Sequence, residues 1–193
     1  MFQLKVEHLS KSFSFRQVIK DINFTIQDGD CLVITGKNGS GKTTLLKILS
    51  NLLRPDSGRI ALELDGKTLN REDSKKYVSL VSPEVMLYDE LTAVENLKFL
   101  GAIGGISFSQ EELLQKIRQM GLEKREDDLL GSYSTGMKQR IKLVFALLNQ
   151  PKLLLLDEPG ANLDEEGLKI TEKIIEQQKT IGISIWLPIN LSR

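Results

Sequence analysis

Eight consecutive residues, Gly36-Lys37-Asn38-Gly39-Ser40-Gly41-Lys42-Thr43, have the types and spacing of a loop that wraps phosphate. They fit G-x-x-x-x-G-K-[ST] at each fixed position, after an apolar strand pattern and before a helical one. The glycines let successive backbone N–H groups turn inward around an anion, and a helix starting there adds its partial positive charge. Lys42 reaches the β- and γ-phosphates of a bound nucleotide, the Thr43 hydroxyl is a ligand for Mg²⁺, and Thr44 extends the same set. A second segment carries complementary chemistry. Leu153-Leu154-Leu155-Leu156-Asp157-Glu158 is an apolar strand that delivers two adjacent carboxylates at its carboxyl end, where ligands bind in open α/β sheets. Asp157 is suited to hold Mg²⁺ through water and Glu158 to polarise an attacking water. Alone, such a strand end also reads as an exposed turn; the phosphate loop upstream is what favours the catalytic reading.

The elements that must position these groups are written in the hydrophobic periodicity. Phe2, Leu4 and Val6 alternate with polar residues, as do Ile22, Phe24 and Ile26, which predicts half-buried strands. Cys31 to Ile34 is a continuous apolar run, expected as a strand buried on both faces. Leu45, Leu46, Ile48, Leu49 and Leu52 keep helical spacing until Pro55, and Ile60, Leu62 and Leu64 run into an Asp65-Gly66 hairpin signal. Thr92 with Glu95 and Ser109 with Glu112 form capping boxes at two helix starts. A third helix carries Met137, Ile141, Val144, Phe145 and Leu148 and stops before Pro151. An amphipathic helix from about Glu165 to Lys179, built around Leu168, Ile174 and Ile175, precedes a last strand between Ile181 and Leu187. This order predicts one α/β domain over residues 1–193, with a helical subdomain of about residues 84–148 inserted.

The bulk properties exclude other classes. The 193 residues hold 26 basic and 26 acidic side chains, so the net charge is zero and no basic nucleic-acid surface is expected. Cys31 is the one cysteine and His8 the one histidine, which leaves no disulfide framework and no cysteine-rich zinc site. No apolar run approaches the ~20 residues that cross a bilayer.

Between the two phosphate-directed segments lies Tyr133-Ser134-Thr135-Gly136-Met137-Lys138-Gln139-Arg140. With it the chain resembles the ATP-binding cassette (ABC) family, whose Leu-Ser-Gly-Gly-Gln signature stands shortly before the acidic strand. The order of phosphate loop, helical block, signature, acidic strand and Gly160-Ala161-Asn162-Leu163-Asp164 matches throughout. The resemblance implies a P-loop NTPase fold of ABC type: a mixed sheet core, an N-terminal antiparallel β portion and an inserted helical subdomain. It implies ATP and Mg²⁺ as ligands and Glu158 as the catalytic base. Ser134, Thr135, Gly136 and Met137 would contact ATP bound to a second subunit, so that two copies close head-to-tail with Asp164 at the seam. Phe13 matches the aromatic that stacks on adenine, although its neighbour Phe15 and plain core packing remain open. The family partner is an integral membrane transporter subunit, docked on the Leu87–Gly105 region, which places such a cassette in the cytoplasm on the inner face of the membrane. Two other readings stay open: a soluble cassette acting on nucleic acid or the ribosome, and a cassette that binds ATP but turns over weakly.

The chain departs from the family at two positions. The glutamine expected after the strand near residue 81 falls on Pro83, with Glu84 beside it as a substitute oxygen donor. The switch histidine expected after the last strand falls on Asn190, which can hydrogen-bond a phosphate but cannot carry a proton, and which also reads as a simple loop residue.

Overall fold

The alternating runs Phe2–Val6 and Ile22–Ile26 anchor a long hairpin, whose pairing is irregular between Val6 and Ser12. In the computed structural model, which describes residues 1–188, β1 (Phe2–Phe13) and β2 (Arg16–Gln27) pair antiparallel, with Phe13 opposite Arg16 next to the turn. β4 (Ser57–Leu64) adds to the other edge of β1 and returns through Asp65-Gly66 into β5 (Lys67–Thr68). Asp65 and Gly66 both have positive φ, 51° and 77°, as a two-residue type I′ hairpin requires.

The second sheet is parallel. It contains β3 (Cys31–Val33), β6 (Val78–Val81), β7 (Leu153–Asp157) and β8 (Ile183–Leu187), in the order β3-β8-β7-β6. The antiparallel and parallel pairings thus lie in two separate sheets. β7 joins their two cores by strict alternation. Leu153 and Leu155 enter the core formed with Phe2, Leu4 and helix α1 (Lys42–Leu49), while Leu154 and Leu156 enter the core under the helices. That second core is covered by α3 (Ala93–Ile103), α4 (Gln110–Gln119) and α5 (Thr135–Leu148), with α6 (Glu165–Ile181) contributing Ile174. One short helix, α2 (Arg71–Ser74), precedes β6, and a 3-10 turn at Leu130–Ser132 precedes α5. Both capping boxes form: Thr92 accepts from the Glu95 N–H, and Ser109 from the Glu112 N–H.

Three local expectations change. β3 lies at a sheet edge, with Val33 43% exposed, because β8 covers only one of its sides. α1 ends at Leu49 instead of running to Leu52. Asn51 turns into the left-handed region (φ 61°), and the Leu52 and Leu53 N–H groups close back on the Lys47 carbonyl. In α6 the buried stripe is Gly167, Thr171, Ile174 and Gln178, and Leu168 is left 41% exposed. Thr171 bonds the Gly167 carbonyl, and the Gln178 amide nitrogen donates to the Pro151 and Ile183 carbonyls while its side-chain oxygen is left buried without a partner.

Leu155 is fully buried in β7, so Leu155→Ala is expected to cost about 2–5 kcal/mol through lost contacts and a residual cavity. The exposed Leu52 provides the control, with Leu52→Ala within about 0.5 kcal/mol of the parent. Urea unfolding midpoints of the two variants check this.

Candidate active site

The phosphate loop leaves β3 at Ile34 and closes on α1. No side chain caps α1, whose N-cap is Gly41 in the left-handed region (φ 97°). The first-turn N–H groups are therefore unclaimed by a cap and directed into the loop, the arrangement that binds anions. A Cβ on Gly41 would come within 2.6 Å of a Val18 methyl, so glycine is required by close packing as well as by φ. The loop's own carbonyls hold the Lys42 ammonium: Nζ donates to Gly36 O at 2.9 Å and to Lys37 O at 3.2 Å.

β7 brings the acidic pair to the same end of the sheet, with β8 between it and β3. Asp157 is 5% exposed. Burial pushes its carboxyl above the usual range, against a hydrogen bond from Thr43 and the charges of Lys42 and Lys47, while Glu84 adds to the upward push. A buried carboxylate bonded to a hydroxyl is a pair of hard oxygen donors, and it fits Mg²⁺ completed by phosphate oxygens and water. No cluster of three or more His, Cys, Asp or Glu suited to a metal exists among the described residues. The chain turns sharply just after Asp157, with Glu158 at φ 49°. That turn aims Glu158 into a cavity of about 510 Å³ lined also by Phe13, Asn38, Gly39, Gly41, Lys42, Thr43 and Thr44. Gly36, Lys37 and Ser40 build the loop's frame without lining the cavity. Arg16 and Val18 do line it, and sequence reasoning passed over both. Their signal was the hairpin register, which sets Arg16 opposite Phe13.

The signature residues lie elsewhere. Ser134 is the N-cap of α5, accepting from the Met137 N–H at 3.2 Å, which leaves its hydroxyl hydrogen free to donate. Gly136 is packed so closely that a Cβ would stand 2.6 Å from the Asn162 carbonyl oxygen. None of Ser134, Thr135, Gly136 and Met137 lines the cavity of the phosphate loop. Asp164 is the N-cap of α6. Its bond from the Gly167 N–H and its ion pair with Arg140 hold its carboxyl below the usual range. Arg140, 4% exposed, also reaches Glu166 and the Met120 carbonyl, and so ties α5 to the start of α6. It was not singled out from the sequence, where it reads as one more surface arginine.

Comparison with known proteins decides the family. The sequence model described as ABC transporter matches residues 19–161. The chain belongs to the ABC transporter ATP-binding family. The cassette is 35% identical over 184 residues to the lantibiotic transport ATP-binding protein SrtF of Streptococcus pyogenes, covering 95% of this chain and 78% of that protein. It is 36% identical to the cytochrome c biogenesis ATP-binding export protein CcmA of Photobacterium profundum, over 89% of this chain and 84% of that one. A solved ATP-binding subunit of an ABC transporter superposes with a TM-score of 0.79 at 29% identity, covering 96% of this chain and 79% of the other. The cassette is accordingly an ATP-binding and ATP-hydrolysing subunit of an ABC transporter. No helix among the described residues is long and apolar enough to cross a membrane.

At the two departures from the family, Glu84 sits beside the site, paired with Lys47 at 2.7 Å. The Pro83 carbonyl accepts a hydrogen bond from Lys142 at 2.8 Å. Asn190 lies outside the described residues.

Because burial disfavours the charged form of Asp157, its ionisation opposes folding at every pH above the ordinary carboxylate range. Asp157→Asn is expected to raise the melting temperature of the ligand-free cassette at pH 7 and to abolish the further stabilisation that Mg²⁺ gives the ATP-bound protein. Thermal melts with and without Mg²⁺-ATP measure both effects. A lower melting temperature for the ligand-free variant would overturn the account.

Proposed function

We propose that two copies of the cassette close head-to-tail over two ATP molecules, with Glu158 as the base that activates water in each site. The observation that carries this reading is the cavity shared by Phe13, Lys42, Thr43 and Glu158, from which the signature residues are absent. A base, a phosphate loop and an aromatic platform occur together in one chain. The Ser134 hydroxyl hydrogen and the positive end of α5 belong with a nucleotide held by another copy. In this scheme Phe13, 48% exposed, stacks on adenine without reading its edge, and Lys42 with the first-turn N–H groups holds the phosphates. Glu158 takes the proton of the water that attacks the γ-phosphorus, and ADP leaves. Thr43 and Asp157 would hold Mg²⁺, which when bound neutralises charge on the β- and γ-phosphates. Asp164, pinned by Arg140, carries the closure from the start of α6 to the signature helix.

The partner is an integral membrane subunit, and its docking surface is the apolar patch around α3. Met86 (78% exposed), Tyr88, Phe99 and Ile103 (70% exposed) present apolar side chains to solvent, and Tyr88 meets Phe99 edge-on with ring centroids 5.1 Å apart. A cluster of this kind marks an interaction surface. The cassette then works in the cytoplasm against the inner face of the membrane, and the membrane subunit reads the cargo.

Glu158→Gln keeps the size of the side chain and removes its basicity. It is expected to leave ATP affinity within about twofold and to cut hydrolysis by at least about 10²-fold, in line with loss of general-base catalysis. Lys42→Ala is expected to weaken ATP binding by at least about tenfold. Phosphate-release assays and nucleotide titrations test the pair, and parental turnover in Glu158→Gln would sink the assignment of the base. Size-exclusion chromatography of Glu158→Gln with Mg²⁺-ATP reads the dimer, whose absence at saturating ATP would count against two copies closing together.

A further inference from the structure

Glu158 is a wall between two cavities. One is the nucleotide cavity; the other is a cleft of about 310 Å³, between α5, residues 158–162 and a wall that carries Pro83, Val85, Leu87 and Asp89. The α5 residues that line this cleft are Thr135, Lys138, Gln139 and Lys142. Their spacing of three, four and seven residues places them on one face of the helix. All four side chains carry hydrogen-bond donors, so the helix presents a stripe of donors to the cleft.

The bonding of that stripe is incomplete. Lys138 is satisfied, because its ammonium pairs with Asp89 at 2.6 Å and neutralises the one carboxylate on that side. Lys142 has no carboxylate partner among the described residues, and its one contact is the Pro83 carbonyl, which leaves two of its three donors for the cleft. Burial holds its amine below the usual lysine range. The Gln139 side chain is only 9% exposed and makes no hydrogen bond among the described residues, although it faces the same cleft. A partly buried cation without a counter-ion gains free energy from an anion beside it, and the Gln139 amide on the same face can donate to that anion.

We propose that this cleft is a binding site for inorganic phosphate. The choice of anion follows from position and from shape. Orthophosphate has four oxygens that accept from separate donors, matching Lys142, Gln139 and Thr135 on one wall, and hydrolysis generates it on the opposite side of Glu158. Glu158 itself is the remaining carboxylate on the cleft. The inference rests on the proposed placement of Glu158 at the reacting phosphate. It adds a second station for the product, outside the phosphate loop and within the same chain.

The test uses the full chain with its phosphate loop filled by a non-hydrolysable ATP analogue and Mg²⁺, so that added orthophosphate cannot enter the γ-position. Equilibrium dialysis with radiolabelled orthophosphate is expected to find one phosphate per chain. Lys142→Met should weaken it at least about tenfold and Gln139→Leu at least about threefold, while Lys142→Arg, which keeps the charge, should stay within about threefold of the parent. Analogue binding is read in the same samples, so a failure of the nucleotide reading shows separately. Phosphate binding abolished by the analogue would assign the anion to the phosphate loop and overturn the proposal. Unchanged affinity in both Lys142→Met and Gln139→Leu would overturn it equally.

Discussion

Everything in this cassette hangs on β7 being buried on both faces. Leu153 to Leu156 are each fully buried and alternate between two cores, so the strand is held by packing on both faces, and a one-residue slip would turn the Asp157 side chain to the opposite layer. That constraint fixes where the strand ends. Asp157 still belongs to the buried ladder, and Glu158 is the first residue free to leave it, through a left-handed turn. The one-residue offset gives two adjacent carboxylates different surroundings. One stays desolvated beside Thr43, and the other opens into the nucleotide cavity.

The site is built by withholding satisfaction from its groups. α1 lacks the side-chain cap that α3, α4, α5 and α6 all have, and Asp157 is buried where its charged form is disfavoured. Each is a stability cost at a place where a phosphate or a cation would relieve it, so ligand binding and folding are thermodynamically linked. By contrast, α5 and α6 are over-secured where they meet. Arg140 bonds two carboxylates and a carbonyl, and Gly136 admits the Asn162 carbonyl at a distance no side chain would allow.

Local chemistry was legible in the sequence wherever a short run of residues specifies it. The phosphate loop, the acidic strand end, both capping boxes and the Asp65-Gly66 hairpin could all be read because each carries its own geometry. What escaped depends on contacts made across the chain. Arg16 gains its place from pairing with Phe13 across a turn that the strand patterns did not define. Arg140 and Lys142 look like ordinary helix-surface cations until Asp164 and Pro83 come to meet them. In α6, periodicity favoured Leu168 because it is apolar, whereas the helix buries Thr171 and Gln178, whose side-chain donors reach nearby carbonyls. β3 read as a central strand because its residues are apolar, yet its sheet position depends on β8, supplied from the far end of the chain.

That position of β8 has a consequence for how the protein is made. β3 and β7 carry the two halves of the nucleotide site, and neither pairs with the other; β8 lies between them, matching Cys31 to Ser184 on one side and Leu154 to Ser184 on the other. During synthesis both halves leave the ribosome before the strand that sets the distance between them. The nascent chain can close the β1–β2 hairpin and pack β4 on it early, because those contacts are the nearer ones. The parallel sheet must wait with an open slot between β3 and β7, an unpaired edge on each side, until residues 183–187 are delivered. β8 is therefore the strand whose pairing sets the spacing of the two halves of the nucleotide site, and until it pairs the facing edges of β3 and β7 are open to wrong partners.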